Sequence, residues 1–347
     1  MKIAGLEIGL DATYSLGRDL SGVGVYSREI LYGLARAHTE SSFRFCYRPH
    51  RFLRSFAEQL PRNASRRLLR EHRASSADLF HGLNQRLGSA QYHRAVSTFH
   101  DLFVISGDYS TAEFRERFSA QAHEAAERSD LIIAVSRFTA QQVEELLDVE
   151  PSRIRVIHHG TRPVAPAARP AAKEQMVLSV GAIQRRKNTA RLVEAFEQLD
   201  SGWKLVLAGA SGFDSQDALK RIERSPRQQD IQVLGYVPGP KLEELYRSAS
   251  IFAFPSLDEG FGMPVLDAMA RGVPVLTSNV SAMPEVAGDA ALLVNPTDVT
   301  SIAEGLRRLA VDSELRNTLI RAGTERIKEF TWEKSVEATW NVYRELL

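Results

Sequence analysis

Hydrophobic positions come in two registers along this chain: short apolar runs rich in β-branched residues, and longer stretches where apolar residues recur with the helical period. In the first half, the runs Ile3 to Leu10, Phe43 to Tyr47, Leu79 to Phe80, Val96 to His100, Leu131 to Val135 and Ile154 to Ile157 predict strands. Between them, residues 23–38, 112–129 and 137–148 carry helical periodicity, with Ser136 placed to cap the last. Residues 161–175, rich in Pro and Ala, break the alternation and read as a linker. The alternation then resumes. Strands are predicted at Met176 to Val180, Lys204 to Ala208, Ile231 to Leu234, Ile251 to Phe254, Val273 to Thr277 and Ala291 to Val294, followed by helical stretches at 299–311, 312–329 and 331–346. The pattern predicts an α/β chain of two doubly wound domains, residues 1–165 and 171–330, with 331–347 a final helix packing back on the first. Ligands of such sheets sit outside the carboxyl ends of the strands, so the cleft between the domains is the expected site.

Length and composition agree with that division and narrow the chemistry. At 347 residues, with 44% hydrophobic and 25% charged, the chain has the size of two ordinary globular domains. Lys plus Arg total 44 against 43 for Asp plus Glu, which leaves no global attraction for nucleic acid. The longest apolar runs are five residues, far short of the ~20 that span a bilayer. The opening MKIAGLEIGLDATYS lacks the features of a signal peptide, and the single Cys46 excludes an internal disulfide framework or a multi-cysteine zinc site. Cytoplasmic residence is the expectation.

The most informative stretch runs from Asp258 to Met269, DEGFGMPVLDAM, directly after a predicted strand. Gly260 and Gly262 let backbone amides approach an anion, and a helix starting near Pro264 adds its positive end, which together make a phosphate or sugar cradle. Glu259 and Asp267 have seven residues between them, too far for a shared proton but suited to gripping two separate polyols. A capped helix with solvated acids fits the same residues. Elsewhere, no Asp-x-Asp pair appears, the His158-His159 doublet lacks the spacing of a helical zinc pair, and no Gly-x-Ser-x-Gly or Ser-x-x-Lys nucleophile pattern occurs.

The segment Glu259 to Ala270 resembles the Glu-seven-residues-Glu signature of the family four retaining glycosyltransferases. The resemblance extends to Val180 to Asn188 (VGAIQRRKN), to Pro284 to Pro296 (PEVAGDAALLVNP) and to Phe99-His100-Asp101-Leu102, and so covers nearly the whole chain. It implies the GT-B architecture, two Rossmann-like domains, with the donor nucleotide sugar held mainly by the second and the acceptor by the first. Lys187 matches the family lysine that contacts the donor diphosphate, and Arg186 is its expected partner, standing in for an arginine that many members carry where this chain has Ala182. Two cations there would neutralise the charge that grows as the glycosidic bond breaks. The competing reading is a solvated basic cluster at a helix start, and in either reading Lys187 is expected to take no part in buried packing. Glu259 matches a residue near the transferred sugar, whose hydroxyls would face the amides of Phe261, Gly262 and Met263. Asp267 stands where the family usually has a ribose-binding glutamate, and Tyr236 and Val237 where it holds the nucleobase. In the first half, Ser21 to Tyr26 (SGVGVY) resembles the family's glycine loop, so Gly22 and Gly24 are expected to close over the diphosphate. His100 matches the histidine that approaches the donor sugar, although a lone histidine is often structural.

The resemblance implies a retaining, metal-independent transfer of a hexose, mannose-type favoured, from a GDP- or UDP-sugar to a sugar or lipid-linked acceptor, with no cofactor. A nucleotide-sugar epimerase of the same fold and a nonenzymatic nucleotide-sugar-binding protein are the alternatives. Between Arg44 and Arg73 the chain carries nine arginines and two glutamates. That excess reads as a peripheral contact with an anionic membrane, or as an ordinary solvated helical face.

Overall fold

Both halves of the alternating pattern close into all-parallel sheets. The computed structural model describes residues 5–17, 20–69, 76–161 and 173–347. The start of the run Ile3 to Leu10, the bulk of the linker at 161–175, and Arg70 and Arg73 lie outside the described residues. The described residues divide into two compact units, one running to Gly107 and including Thr111–Gly160 and Thr331–Leu347, the other comprising Asp108–Ser110 and Thr161–Phe330.

In the first unit, β1 (Glu7–Asp11) leads into α1 (Gly22–Ala37), and β2 (Ser42–Tyr47) into the short α2 (Pro49–Phe52). Next come β3 (Ala64–Leu68), β4 (Leu79–Gly82), β5 (Ala95–Phe99), α3 (Phe103–Ser106), α4 (Ala112–Arg128), β6 (Leu131–Ala134), α5 (Arg137–Leu147) and β7 (Ile154–Val156). The sheet order is β3-β2-β1-β4-β5-β6-β7. In β4, β5 and β6 every residue is buried, as expected of strands covered on both faces. Ser136 caps α5 as the sequence implies, its hydroxyl accepting from the Thr139 amide at 3.0 Å. The strand β3 was not anticipated. Its sequence, ASRRL, reads as part of a charged helical face, yet it pairs along β2 from Phe43 opposite Ala64 to Tyr47 opposite Leu68. As the edge of the sheet it can carry arginines that a central strand could not.

The second unit repeats the arrangement. Its strands are β8 (Glu174–Val180), β9 (Lys204–Ala208), β10 (Ile231–Gly235), β11 (Ala249–Phe254), β12 (Val275–Ser278) and β13 (Ala291–Val294). Glu174 and Gln175, assigned to the linker by composition, thus open β8. The helices are α6 (Thr189–Phe196), α7 (Gln216–Glu223), α8 (Gly239–Ser248), α9 (Met263–Ala270), α10 (Met283–Ala287), α11 (Val299–Val311) and α12 (Ser313–Arg326). Strand order is β10-β9-β8-β11-β12-β13. A core of Val177, Leu205, Ile251, Phe196 and Leu306, among others, fills the space between this sheet and its helices. The final helix, α13 (Trp332–Leu346), belongs to the first unit, where Val336 packs against α1 so closely that a Cβ on Gly33 would come within 2.4 Å of it.

Each sheet reverses its strand order once, between β1 and β4 in the first unit and between β8 and β11 in the second. Such switch points, at the carboxyl ends of the strands, are where doubly wound sheets open a crevice for ligands.

Candidate active site

At the β8/β11 switch point, the loop after β8 carries Arg186 and Lys187, and the loop after β11 carries Glu259. Lys187 Nζ lies 2.5 Å from Glu259 Oε1, and Arg186 Nη1 lies 3.0 Å from Oε2. All three side chains are largely enclosed, with exposures of 12% for Arg186, 13% for Lys187 and 8% for Glu259. Arg186 also donates to the Asp258 carbonyl at 3.1 Å, and the Lys187 ammonium stands 4.5 Å from the centre of the Phe254 ring. The cluster is therefore not the solvated one that the sequence left open, and its side chains do take part in buried packing. Burial alone would push the Glu259 carboxyl up, but the adjacent guanidinium and ammonium override it and hold the group below the ordinary glutamate range. Glu259 is a fixed anion here, and two cations are drawn to one point.

Local backbone geometry holds the two loops together. The Leu257 amide donates to the Arg186 carbonyl at 2.7 Å. Asn188, in a left-handed conformation at φ 60°, donates to the carbonyls of Pro255 and Pro296 at 2.9 and 2.6 Å. These bonds join the ends of β8, β11 and β13 through one buried carboxamide. Asn188 was legible only as part of a family motif, because a hydrogen-bonding role of this kind leaves no periodic signal.

Gly262, at φ 98°, precedes α9, and Pro264 follows just inside the helix. The left-handed backbone at Gly262 requires glycine, while a Cβ there would come within 2.3 Å of Met283 Cε and oblige that flexible side chain to shift. Phe261 is buried with its ring edge toward Phe330, and Met263 starts the helix. Asp267 lies one turn further on. Its carboxylate is 42% exposed and 3.3 Å from Arg271, which also binds Glu243 at 2.7 Å. The structure thus brings Arg186, Lys187 and Glu259 into direct contact and sets Asp267 in a separate ion network whose arginine the sequence did not single out. Tyr236 and Val237 follow the end of β10, with Tyr236 57% exposed.

The candidate residues of the first unit are tied into their own unit. Gly22 is the first residue of α1 and Gly24 the third, and the Gly24 amide is already bound to the Ser21 hydroxyl at 3.2 Å. A Cβ on Gly24 would lie 2.8 Å from the Tyr14 carbonyl, which accounts for the glycine by packing. His100 lies just beyond β5, with both ring nitrogens engaged inside the first unit. The residue is 7% exposed, Nε2 lies 2.9 Å from the Leu83 carbonyl, and Nδ1 lies 3.3 Å from His159 Nε2. A carbonyl only accepts, so Nε2 of the neutral His100 ring carries its proton and Nδ1 accepts from His159. Tyr26 packs edge-on against His100 at 4.8 Å. Its hydroxyl bonds Thr98, which bonds His81 Nε2, whose Nδ1 lies 2.6 Å from the Tyr343 hydroxyl of α13. Burial pushes His100 down to about 4 and His81 to about 3, and His159 well below its usual value, so all three rings are neutral near pH 7. The sequence showed His158-His159 only as a failed metal pair. No run or spacing could reveal that His159 meets His100 across the sheet. Among the described residues, no three His, Cys, Asp or Glu side chains are grouped to share a metal ion.

Comparison with known proteins places these features in a family. Residues 20–163 match the profile described as glycosyltransferase family 4, and residues 165–326 the one described as glycosyl transferases group 1. O-antigen chain mannosyltransferase B of Escherichia coli is 29% identical over 96% of this chain and 98% of its own. The serotype-specific mannosyltransferase WbdA of Escherichia coli is 26% identical over 73% of this chain, which spans 34% of that longer protein. Among solved structures, sucrose-phosphate synthase from Thermosynechococcus elongatus has a TM-score of 0.75 at 21% identity, covering 98% of this chain and 99% of that one. Anabaena HepE in complex with UDP-glucose has a TM-score of 0.73 at 15% identity, covering 99% and 100%. With its two Rossmann-type parallel sheets and its matches to both profiles, the chain belongs to the family four glycosyltransferases of GT-B fold.

Proposed function

We propose that this glycosyltransferase is retaining and metal-independent, and that it moves a mannose-type hexose from a GDP- or UDP-sugar to a sugar or lipid-linked acceptor in glycan or polysaccharide synthesis. The observation that carries the proposal is the convergence of Arg186 and Lys187 on one buried carboxylate at the β8/β11 switch point. A donor diphosphate bound there competes with Glu259 for the two cations, and the positive charge is already in place when the leaving group develops its own. The amides at the start of α9 add a positive helix end. Mannose is favoured by the names of the E. coli relatives, and a nucleoside-diphosphate donor by the UDP-glucose bound to HepE.

The state of the ionisable candidates supports retention. Inversion requires a base behind the anomeric carbon to take the acceptor proton. Glu259 is held by two cations, Asp267 is paired with Arg271, and both nitrogens of His100 are engaged. Attack from the leaving-group side needs none of them, because the departing diphosphate oxygen can accept that proton while Lys187 and Arg186 stabilise it. In this reading the second unit holds the donor, with Asp267 at the ribose and Tyr236 and Val237 at the base. The first unit holds the acceptor, and His100 is a fixed, neutral wall.

Membrane contact through the Arg44–Arg73 region is part of the proposal, in altered form. Arg44 pairs with Glu7, Arg48 is buried beside Asp11, and Arg66 binds the Ser55 and Glu58 carbonyls. Among the described residues, the exposed Arg54 accompanies Leu53 at 80% and Phe56 at 62% exposure, and the Arg66 guanidinium stands 5.2 Å from the centre of the Phe56 ring. Apolar and basic groups together suit a lipid surface better than charge alone.

Thermal unfolding against a panel of nucleoside diphosphates tests the donor reading. A bound diphosphate at 100 times its Kd stabilises by about 2.7 kcal/mol, so the preferred base should raise the melting temperature by several degrees. No shift with any nucleotide would remove the basis for a nucleotide-sugar donor.

A further inference from the structure

His159 is buried in the first unit, on a backbone that leaves it little freedom. The chain reaches it from β7, where the Ile157 amide donates to the Ala134 carbonyl at the end of β6 at 2.9 Å, and the His158 carbonyl accepts from the Ser335 hydroxyl of α13 at 2.6 Å. Gly160 follows. A Cβ there would come within 2.3 Å of the Trp332 amide nitrogen and 2.6 Å of the Thr331 carbonyl carbon. Both obstacles are backbone, with no side-chain rotamer to yield, so the close approach of these two segments requires glycine. From this fixed base the His159 ring packs against Tyr26, with ring centres 4.9 Å apart, and against Trp332, at 6.0 Å.

The same ring reaches His100, its Nε2 lying 3.3 Å from His100 Nδ1. Because His100 Nε2 must donate to the Leu83 carbonyl, 2.9 Å away, its Nδ1 only accepts, and the proton between the two rings belongs to His159. The hydrogen bonds therefore run one way, from His159 through His100 to Leu83. Leu83 is the first residue after β4, so they end on the loop at the carboxyl end of a strand that flanks the β1/β4 switch point. That loop folds back on itself. The Arg86 amide donates to the Asn84 carbonyl at 2.8 Å, and a Cβ on Gly82 would lie 2.9 Å from Leu87 and 3.1 Å from the Arg86 carbonyl. Asn84 is buried with no hydrogen-bond partner for its Oδ1 among the described residues, so that atom gives the loop no anchor.

Packing alone does not call for two histidines here. An apolar ring in either place would fill the space beside Tyr26 and Trp332 without burying polar nitrogens, which is costly unless they are paired. What imidazole adds is the directed pair of hydrogen bonds. A neutral His100 left to itself could carry its proton on either nitrogen, and only the Nε2–H form holds Leu83.

We propose that His159 is a positioning residue, which fixes His100 in the Nε2–H tautomer and through it holds the loop after β4 in the shape that an acceptor needs at the β1/β4 crevice. The proposal deepens the glycosyl-transfer reading and rests on it for the acceptor's place in the first unit. It requires neither that His159 touch substrate nor that either ring change its charge.

Two variants of the whole protein separate hydrogen bonding from packing. His159→Phe keeps a ring against Tyr26 and Trp332 and loses the donor, whereas His159→Gln loses the ring and keeps an amide donor at the reach of Nε2. Long-range proton–nitrogen NMR of histidine-labelled protein reads the His100 tautomer, and hydrogen exchange reads the amides of residues 83–87. Saturation-transfer NMR with methyl α-mannoside follows the acceptor side, and calorimetry with GDP or UDP the donor side. Wild type should show His100 protonated at Nε2. His159→Phe should admit the Nδ1–H tautomer, speed exchange in the loop and weaken mannoside binding about three- to tenfold, the effect of one lost hydrogen bond, while nucleotide affinity changes less than about twofold. His159→Gln should return all three toward wild type even where it melts at a lower temperature. His100 protonated at Nδ1 in wild type, His159→Phe indistinguishable from wild type, or His159→Gln as impaired as His159→Phe would overturn the proposal. No mannoside binding by wild type, with the tautomer and loop exchange still altered by Phe and restored by Gln, would uphold the positioning role and overturn the acceptor reading instead.

Discussion

Replacing Lys187 with alanine acts in two ways at once, and they can be separated. The ammonium is withdrawn from the donor site, for which losses of about 10²–10³ in kcat are typical of an electrostatic group. It is also withdrawn from Glu259, a carboxylate with 8% exposure that then keeps Arg186 alone. Leaving a buried charge short of a partner costs on the order of 1–3 kcal/mol, so Lys187→Ala should unfold at lower denaturant as well as turn over slowly. Adding Glu259→Gln should lower stability further, because it leaves the Arg186 guanidinium without a carboxylate, and should restore none of the turnover. Full activity of Lys187→Ala in a donor assay would place the residue outside the reaction. The histidines give a second prediction at this scale. His81, His100 and His159 are neutral in the fold, with values pushed below the unfolded one of about 6.5, to about 3 and 4 for the first two. The unfolded chain therefore binds more protons between about pH 6.5 and 4. Stability is fully present above that window and falls as pH drops through it, by up to about 1.4 kcal/mol per pH unit for each histidine. Urea unfolding at pH 7, 6 and 5 measures the slope, and His81→Gln should make it shallower. A flat profile would mean that the rings are already charged or solvated.

Among elements, the clearest dependence is that of α9 on Gly262. Gly262→Ala forces an alanine to φ 98°, at a cost of roughly 1–2 kcal/mol, and obliges the end of Met283 to shift. Displacing the helix start should also weaken nucleoside-diphosphate binding, which calorimetry reads. Unchanged stability would show that the loop before α9 relaxes out of its left-handed conformation at no cost. The same helix shows what the sequence made legible. A strand, two glycines and a proline are enough to place a turn and a helix start, and the capping residue Ser136 sits where its pattern puts it. Buried strands such as Leu131–Ala134 are equally plain, because apolar runs of that length have few other uses. β3 was hidden because an edge strand need not be apolar, and Arg66 and Arg67 look like surface in any element. Contacts between distant segments were hidden for another reason. Lys187 and Glu259 lie 72 residues apart, and Tyr343 and His81 lie 262 apart, so only the fold reveals that they meet. The resemblance named the first pair without their mutual ion pair, and it gave no hint of the second.

At the scale of the whole molecule, no helix among the described residues is long and apolar enough to cross a membrane. The patch of Leu53, Phe56, Arg54 and Arg66 should bind vesicles containing anionic lipid, more weakly as salt shortens the Debye length below its physiological ~8 Å. Leu53→Ser with Phe56→Ser should reduce sedimentation with those vesicles even at low salt. Equal partitioning onto neutral and anionic vesicles, or none onto either, would leave the patch as ordinary surface. The central claim is that diphosphate departure, stabilised by Arg186 and Lys187, directs the acceptor to the same face of the donor sugar without metal or protein base. The measurement that tests it most directly is NMR of the product formed from an α-linked nucleoside-diphosphate mannose in the presence of EDTA. The account predicts undiminished turnover and an α-glycosidic linkage. A β-linkage, or activity lost to EDTA and restored by Mg²⁺ or Mn²⁺, would contradict it.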